Sequence, residues 1–342
     1  MGVSLRILFA VPGKLHTVPM VRFAHAALER MGHKVVSVDY SPTLLEKVRG
    51  RLRGEAARGQ LVAPRLMAAA EESKPDLFLT LYGFNVAAQV LALLRDRGVP
   101  RINWWLNDPF QFERACGILP AYDLAFTNAK YSVEAYRARG IRNVRFLPTA
   151  CDPSVHRPLL ADPALACEIS FAGDWSKDRE GIIARLVEAK ICDARIFGPW
   201  RKKLQRDSPL RPRLRNGFFS PEQMVRIFAS SRATLNIHTW YGRYDYGLNP
   251  RVFEAAACGV PQLVDEKREL RELIPTDKLY CLFAYRDEAE LHAQVRAVLA
   301  DPRGARERAM QLVGYFHQAH SYDARMRELL AAAAGQSQGA QA

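Results

Sequence analysis

The sequence predicts an α/β protein of two domains, each built around a parallel sheet. Its 342 residues suit two cores better than one. Strand-like runs alternate with helical runs of about ten residues or more, which is the pattern of βαβ units. The alternation stops once, in the turn-rich stretch from Pro148 to Pro158, and then starts again.

In the first half the expected strands are Leu5–Val11, Lys34–Tyr40, Asp76–Leu81, Arg101–Trp105, Asp123–Thr127 and Val144–Leu147. Helical runs between them include Met20–Met31, Val86–Arg97 and Ser132–Arg139, with Gly32 and Gly140 placed to take the left-handed conformation that closes a helix. After the break come strand Glu168–Ala172, helix Arg179–Ala189, strand Ala194–Phe197, helix Pro221–Ser230 capped by Ser220, strand Thr234–Ile237, helix Pro250–Cys258 and strand Gln262–Val264. A strand Leu279–Phe283 and helices Glu288–Ala300, Arg303–Gln318 and Tyr322–Ala334 complete the expected order. The domains are read as 1–150 and 151–320, with 321–334 returning to the first domain and 335–342 a polar, disordered tail.

The formal charge is +13. It is spread over several segments without interleaved aromatics, so an anionic small ligand is expected and nucleic acid is not. Peripheral attachment to an anionic membrane surface stays open. No apolar run reaches the length of a membrane span, and Met1–Arg6 leads straight into a strand, so the expectation is a cytoplasmic chain without a signal peptide. Six scattered cysteines lack metal-site spacing and are read as reduced thiols.

Open α/β sheets bind ligands beyond the carboxyl ends of their strands, so the residues that follow each strand are the candidates. After Thr234–Ile237 the chain reads His238, then Gly247-Leu248-Asn249-Pro250-Arg251 and Glu254. Asn249 suits an N-cap and Pro250 the first helical position; a helix start favours an anion such as a diphosphate. Arg251 opposes the helix dipole unless an anion is present, and Glu254 can accept bonds from vicinal ribose hydroxyls. An ordinary capped helix with a solvated Glu254 is the competing reading. After Glu168–Ala172, Gly173 allows close backbone approach while Lys177 and Arg179 can neutralise phosphate. Trp200 can stack on a base or pack on its own domain, and His238 can touch the ligand or cap its strand.

The segments Leu235–His238 and Gly247–Ala255, continuing through Ala257-Cys258-Gly259-Val260-Pro261, resemble the signature of the spore-maturation-protein CgeB-like glycosyltransferases. Trp104–Pro109, Tyr122–Thr127, Leu147–Pro158, Phe171–Asp174 and His320-Ser321-Tyr322 with Arg325 fit the same family in order. The resemblance implies the GT-B fold, two Rossmann-like domains facing each other across a cleft. It also implies transfer of a sugar from a nucleotide-diphosphate sugar, UDP- or dTDP-/GDP-linked. By that resemblance Glu254 contacts the donor ribose, Lys177 and Arg179 lie near the diphosphate, and the backbone at Gly247–Asn249 approaches the sugar or phosphates. Tyr246 stands where many members of the wider clan carry a second glutamate.

GT-B enzymes generally stabilise the leaving diphosphate with cations and a helix start in place of a metal, and no Asp-x-Asp follows a strand, so neither metal nor cofactor is expected. The acceptor is a cell-surface glycan, lipid, protein or small molecule, expected on the first domain near Lys14, His16, Tyr82 and Asp108. His16 and Asp108 are the general-base candidates, with Arg251 as the charge-stabilising catalytic residue. An epimerase on the same fold and a non-catalytic anion-binding protein are the alternatives.

Overall fold

The computed structural model describes residues 4–13, 18–43 and 55–339. The chain divides into two compact units: residues up to Pro148 together with those from Tyr322 onward, and Thr149–Ser321.

The first unit holds strands β1 (Arg6–Val11), β2 (Lys34–Asp39), β3 (Leu77–Leu81), β4 (Arg101–Trp105), β5 (Leu124–Thr127) and β6 (Val144–Phe146). They form one parallel sheet in the order β2-β1-β3-β4-β5-β6. Its helices are α1 (Pro19–Arg30), α2 (Glu55–Ser73), α3 (Ala88–Asp96), α4 (Phe112–Cys116) and α5 (Ser132–Ala138). Strands β3 to β5 are almost continuously apolar because both faces of a parallel sheet are covered. Leu8, Phe78, Val62, Leu66 and Val90 form one of its core clusters. Gly32 and Gly140 take φ of +85° and +78°, as their helix-closing role requires.

The second unit holds β7 (Cys167–Ala172), β8 (Ala194–Gly198), β9 (Leu214–Asn216), β10 (Ser231–Asn236), β11 (Gln262–Asp265) and β12 (Phe283–Tyr285). Its helices are α6 (Lys177–Glu188), α7 (Pro221–Ala229), α8 (Pro250–Ala257), α9 (Arg268–Leu273), α10 (Glu288–Ala300), α11 (Pro302–Met310) and α12 (Val313–Ala319). The parallel sheet runs β12-β11-β10-β7-β8-β9. Strand order therefore reverses between β7 and β10, and the loops after these two strands diverge to opposite sides. That switch point opens a crevice at the carboxyl edge. Helices α6 and α10 share one core cluster, while α7 and α8 pack together in another.

Helix α13 (Tyr322–Gly339) carries the chain back to the first unit, where Phe23 and Tyr322 sit ring to ring at 5.5 Å and Arg30 pairs with Asp323 at 2.5 Å. The helix continues past Ala334 through Gly339, so of the expected disordered tail only 340–342 lie outside the described residues. Two further expectations are corrected. Residues Thr276–Cys281 form a 3₁₀ turn, and the strand is Phe283–Tyr285. The long helix expected over Arg303–Gln318 is broken into α11 and α12, because Ala305 packs in one cluster while Leu312 and Phe316 pack in another. No helix among the described residues is long and apolar enough to cross a membrane.

At the carboxyl edge, Gly198 has no room for a side chain: an added Cβ would meet the Gly173 carbonyl oxygen at 2.2 Å. Gly198→Ala should therefore destabilise the second unit by about 1–3 kcal/mol. Thermal melting checks it, with a fall of several degrees expected.

Candidate functional site

The second unit's switch point is built from the ends of β7 and β10. Beyond β7, Gly173 donates its N–H to Phe197 O at 3.0 Å and accepts Trp200 Nε1–H at 2.9 Å. Its backbone is thus spent on holding β8. Trp200 is fully buried and packs edge-on against Phe171 at 5.4 Å. This corrects the expectation that Trp200 stacks on a base: its ring faces are taken by the core.

Arg179, in the first turn of α6, reaches across the crevice. Its Nε and Nη2 donate to Ile237 O at 3.0 and 2.8 Å, and Nη1 donates to Asp174 O at 2.9 Å. It is 9% exposed and forms no ion pair with a carboxylate among the described residues. Burial, and next the nearby Arg251, lower its pKa to about 10. Ser176 caps α6 by accepting from Arg179 N, which leaves Lys177 exposed at the helix start.

Beyond β10, Asn249 caps α8 by accepting from Val252 N at 3.3 Å. Its amide is also locked to Asn236, the last residue of β10, by a reciprocal pair of 3.1 and 2.8 Å. Arg251 Nη1 pairs with Glu254 Oε2 at 2.6 Å, and the other carboxylate oxygen lies 3.9 Å from His156 Nε2. Glu254 is buried at 7% exposure, so the expected solvated alternative fails. Gly247 and Leu248 do not line the surface. The Gly247 N–H donates to Glu269 Oε1 at 2.8 Å with φ +82°, and Leu248 packs in the core. Of the three residues expected to bring backbone to the donor, Asn249 alone stays half-exposed.

His238 is fully buried. Its Nδ1 lies 2.7 Å from Asp265 Oδ1, its backbone N–H donates to the same oxygen at 2.9 Å, and its Nε2 has no hydrogen-bond partner among the described residues. Burial lowers the His238 pKa against the opposing pull of Asp265. For Asp265, burial pushes upward, but His238 and Lys267 outweigh it and hold the carboxyl well below its ordinary range. Lys267 pairs with Asp265 Oδ2 at 2.7 Å and donates to Tyr244 O at 2.8 Å.

In the first unit, Tyr82 follows β3 in a left-handed conformation (φ +63°), stacked on Phe84 at 5.2 Å and edge-on to Trp105 at 6.0 Å. Burial raises its phenol pKa. Asp108 is corrected as a general base. It is fully buried, and both its oxygens are occupied: Oδ1 by Trp105 Nε1 at 3.1 Å, Oδ2 by Thr127 Oγ1 at 2.6 Å and Tyr136 OH at 2.7 Å. It anchors the loop after β4 to β5 and α5. Lys14 and His16 lie outside the described residues.

Sequence reasoning missed Asn236, Asp265, Lys267, Glu269 and His156. Asp265 directly follows the expected strand Gln262–Val264, so the strand-end rule was the signal for it. His156 was hidden in a stretch read only as a linker.

Residues 179–331 match the model of a family described as glycosyl transferase-like. No curated protein sequence matches the chain. Among solved structures, sucrose-phosphate synthase from Thermosynechococcus elongatus superposes with TM-score 0.71 at 15% identity, covering 96% of this chain and 99% of that one. Anabaena HepE in complex with UDP and glucose gives 0.61 at 13%, covering 97% and 100%. A DNA-modifying β-glucosyltransferase gives 0.57 at 14%, covering 96% and 99%. The chain therefore shares the two-sheet GT-B fold of these structures over nearly its whole length.

Burial lifts the Asp108 pKa to about 6, above its unfolded value. Between those two values the folded state binds more protons, so this group's stabilising contribution grows as pH falls through 6 and is lost as pH rises through it. Asp108→Ala leaves three buried donors without their acceptor and should cost about 1–3 kcal/mol or more. Calorimetric melting reads that loss and its disappearance of pH dependence between roughly 4 and 6. Turnover of the folded variant should fall far less than the ~10²–10⁴ that loss of a general base produces.

Proposed function

We propose that the chain transfers a sugar from a nucleotide-diphosphate sugar to an acceptor hydroxyl, with the donor held on the Thr149–Ser321 unit. The observation that carries the reading is Arg179: a buried guanidinium at the switch point, bonded only to carbonyls and facing a second cation. A buried cation without a carboxylate partner is costly unless an anion arrives, and a diphosphate is an anion of the right class. It would lie between Arg179, Arg251, the exposed Lys177 and the start of α8. Glu254, oriented by Arg251, would accept from the ribose hydroxyls. HepE, crystallised with UDP and with UDP-glucose, supports a UDP-linked donor among the expected bases.

In the transfer, the bond from the anomeric carbon to the β-phosphate oxygen breaks and one to the acceptor oxygen forms. Negative charge grows on the departing diphosphate, where Arg179, Lys177 and Arg251 can stabilise it. The acceptor proton leaves to solvent, to the diphosphate or to a base other than Asp108. The CgeB-like subfamily fits the signature at 235–264. We assign the acceptor to the first unit, near Tyr82. Six free cysteines suit the cytoplasm, and the excess positive charge suits attachment to the inner membrane face.

Titration calorimetry with UDP tests the reading. Glu254→Gln should weaken UDP by the ~1.5–3 kcal/mol of a charge-assisted bond, in a variant that still melts cooperatively despite the lost pairing with Arg251. Unchanged affinity would remove the ribose assignment. A chelator should leave transfer intact; full loss restored by manganese would overturn a mechanism that runs on side-chain cations.

A further inference from the structure

Phe218 is 89% exposed, an unusual state for a phenylalanine in a well-packed unit. It is held there by its surroundings. Asn216 Oδ1 accepts from Arg201 N at 2.9 Å, and Gly217 N donates to Gly198 O at 3.3 Å, which ties the ends of β8 and β9 together. On the other side Phe219 packs against the α7–α8 cluster, and Ser220 and Gln223 form a capping box at the start of α7. The ring is therefore presented by a fixed backbone.

The segment has a defined path. β9 is two strands from β7, roughly 10 Å. Helix α7 packs back over β7 and β10, so Gly217–Ser220 carries the chain along the carboxyl edge toward the switch point. Helix α8, which bears Glu254, lies beside α7 on the same face of the sheet: Met224, Val225 and Phe228 pack with Ala255 and Cys258, and the Arg251 guanidinium sits 5.7 Å from the Phe228 ring. Both helices follow strands of the same parallel sheet, so both start at its carboxyl edge, and the start of α7 is within reach along that edge of a nucleoside whose ribose is gripped at Glu254. Trp200, the other aromatic just beyond β8, has no free ring face.

We infer that Phe218 is the platform on which the donor's nucleobase stacks. The inference rests on the donor reading above. Stacking uses the π-face that every base shares, so the platform contributes affinity without choosing among uracil, thymine and guanine.

The test measures binding of UDP, dTDP, GDP and, as the base-free probe, pyrophosphate to the full chain by calorimetry. Phe218→Ala touches an exposed side chain and should leave the melting curve unchanged. It should weaken those nucleotides that the wild type binds by a similar factor, about tenfold or more, and leave pyrophosphate unaffected. Phe218→Trp should restore binding. Equal UDP affinity in wild type and Phe218→Ala overturns the inference, and if that variant instead loses binding to vesicles of anionic phospholipid, the ring belongs to a membrane contact. A pyrophosphate loss as large as the UDP loss also overturns it. A wild type that binds none of the nucleotides removes the donor reading itself, a result distinct from the others.

Discussion

The second unit depends on one hydrogen-bonded cation. Arg179 ties the first turn of α6 to the first carbonyl beyond β10 and to the loop beyond β7, closing the two sides of the switch point with a single side chain. Its fork geometry suits this: two nitrogens converge on Ile237 O while the third turns to Asp174 O. Carbonyl dipoles satisfy the N–H groups but do not cancel the charge. The depressed pKa near 10 records that imbalance, and Arg251 adds to it. An anion at this edge would relieve it.

The remaining groups at the edge explain why the loop between β10 and α8 can be long and still well placed. Three consecutive residues entering α9 fasten it. Lys267 Nζ donates to Tyr244 O, Arg268 N to Asp245 O at 2.9 Å, and Glu269 accepts from Gly247 N. Trp240 Nε1 adds a bond to Tyr246 O at 3.0 Å. The buried Asp265 underlies this zipper by pairing with both His238 and Lys267. A buried ionic cluster of this kind adds little net stability compared with apolar packing, but it fixes a geometry. Here the geometry fixed is that of His238 and of the loop leading to Asn249.

Most of the fold was legible because both units obey one rule, short apolar strands alternating with amphipathic helices. Pro, Gly and Ser punctuated them at the positions the backbone demands, as with Gly32, Gly140, Ser220 and Asn249. What was not legible was decided by tertiary partners. Helix α2 carries Pro64 inside it, a breaker signal that long-range packing of Val62 and Leu66 overrides. The strand-end rule picked out Arg179, Arg251 and Glu254, which do lie at the carboxyl edge, because it concerns position along the chain. It misjudged Trp200 and Asp108 because their fate depends on what lies across the sheet: Gly173 O in one case, Thr127 and Tyr136 in the other. Residue type and local position locate an edge; they do not say whether a side chain there faces outward or is consumed by the fold.

The same distinction bears on how this edge can do chemistry. Groups that stabilise a departing diphosphate are useful in proportion to how little they must reorganise when charge develops. Arg179 is held by three bonds, Asn249 by its pairing with Asn236, and Glu254 by Arg251, so each has its orientation set before any ligand arrives. The exposed Lys177 is the exception; in the proposed donor site it would follow the phosphate. Fixed dipoles and one buried cation at the sheet edge, with an exposed cation at the rim, would suit the diphosphate proposed above. The hydrogen bonds that occupy Trp200 and Asp108 are part of the same arrangement, because they hold the strand ends from which those groups project.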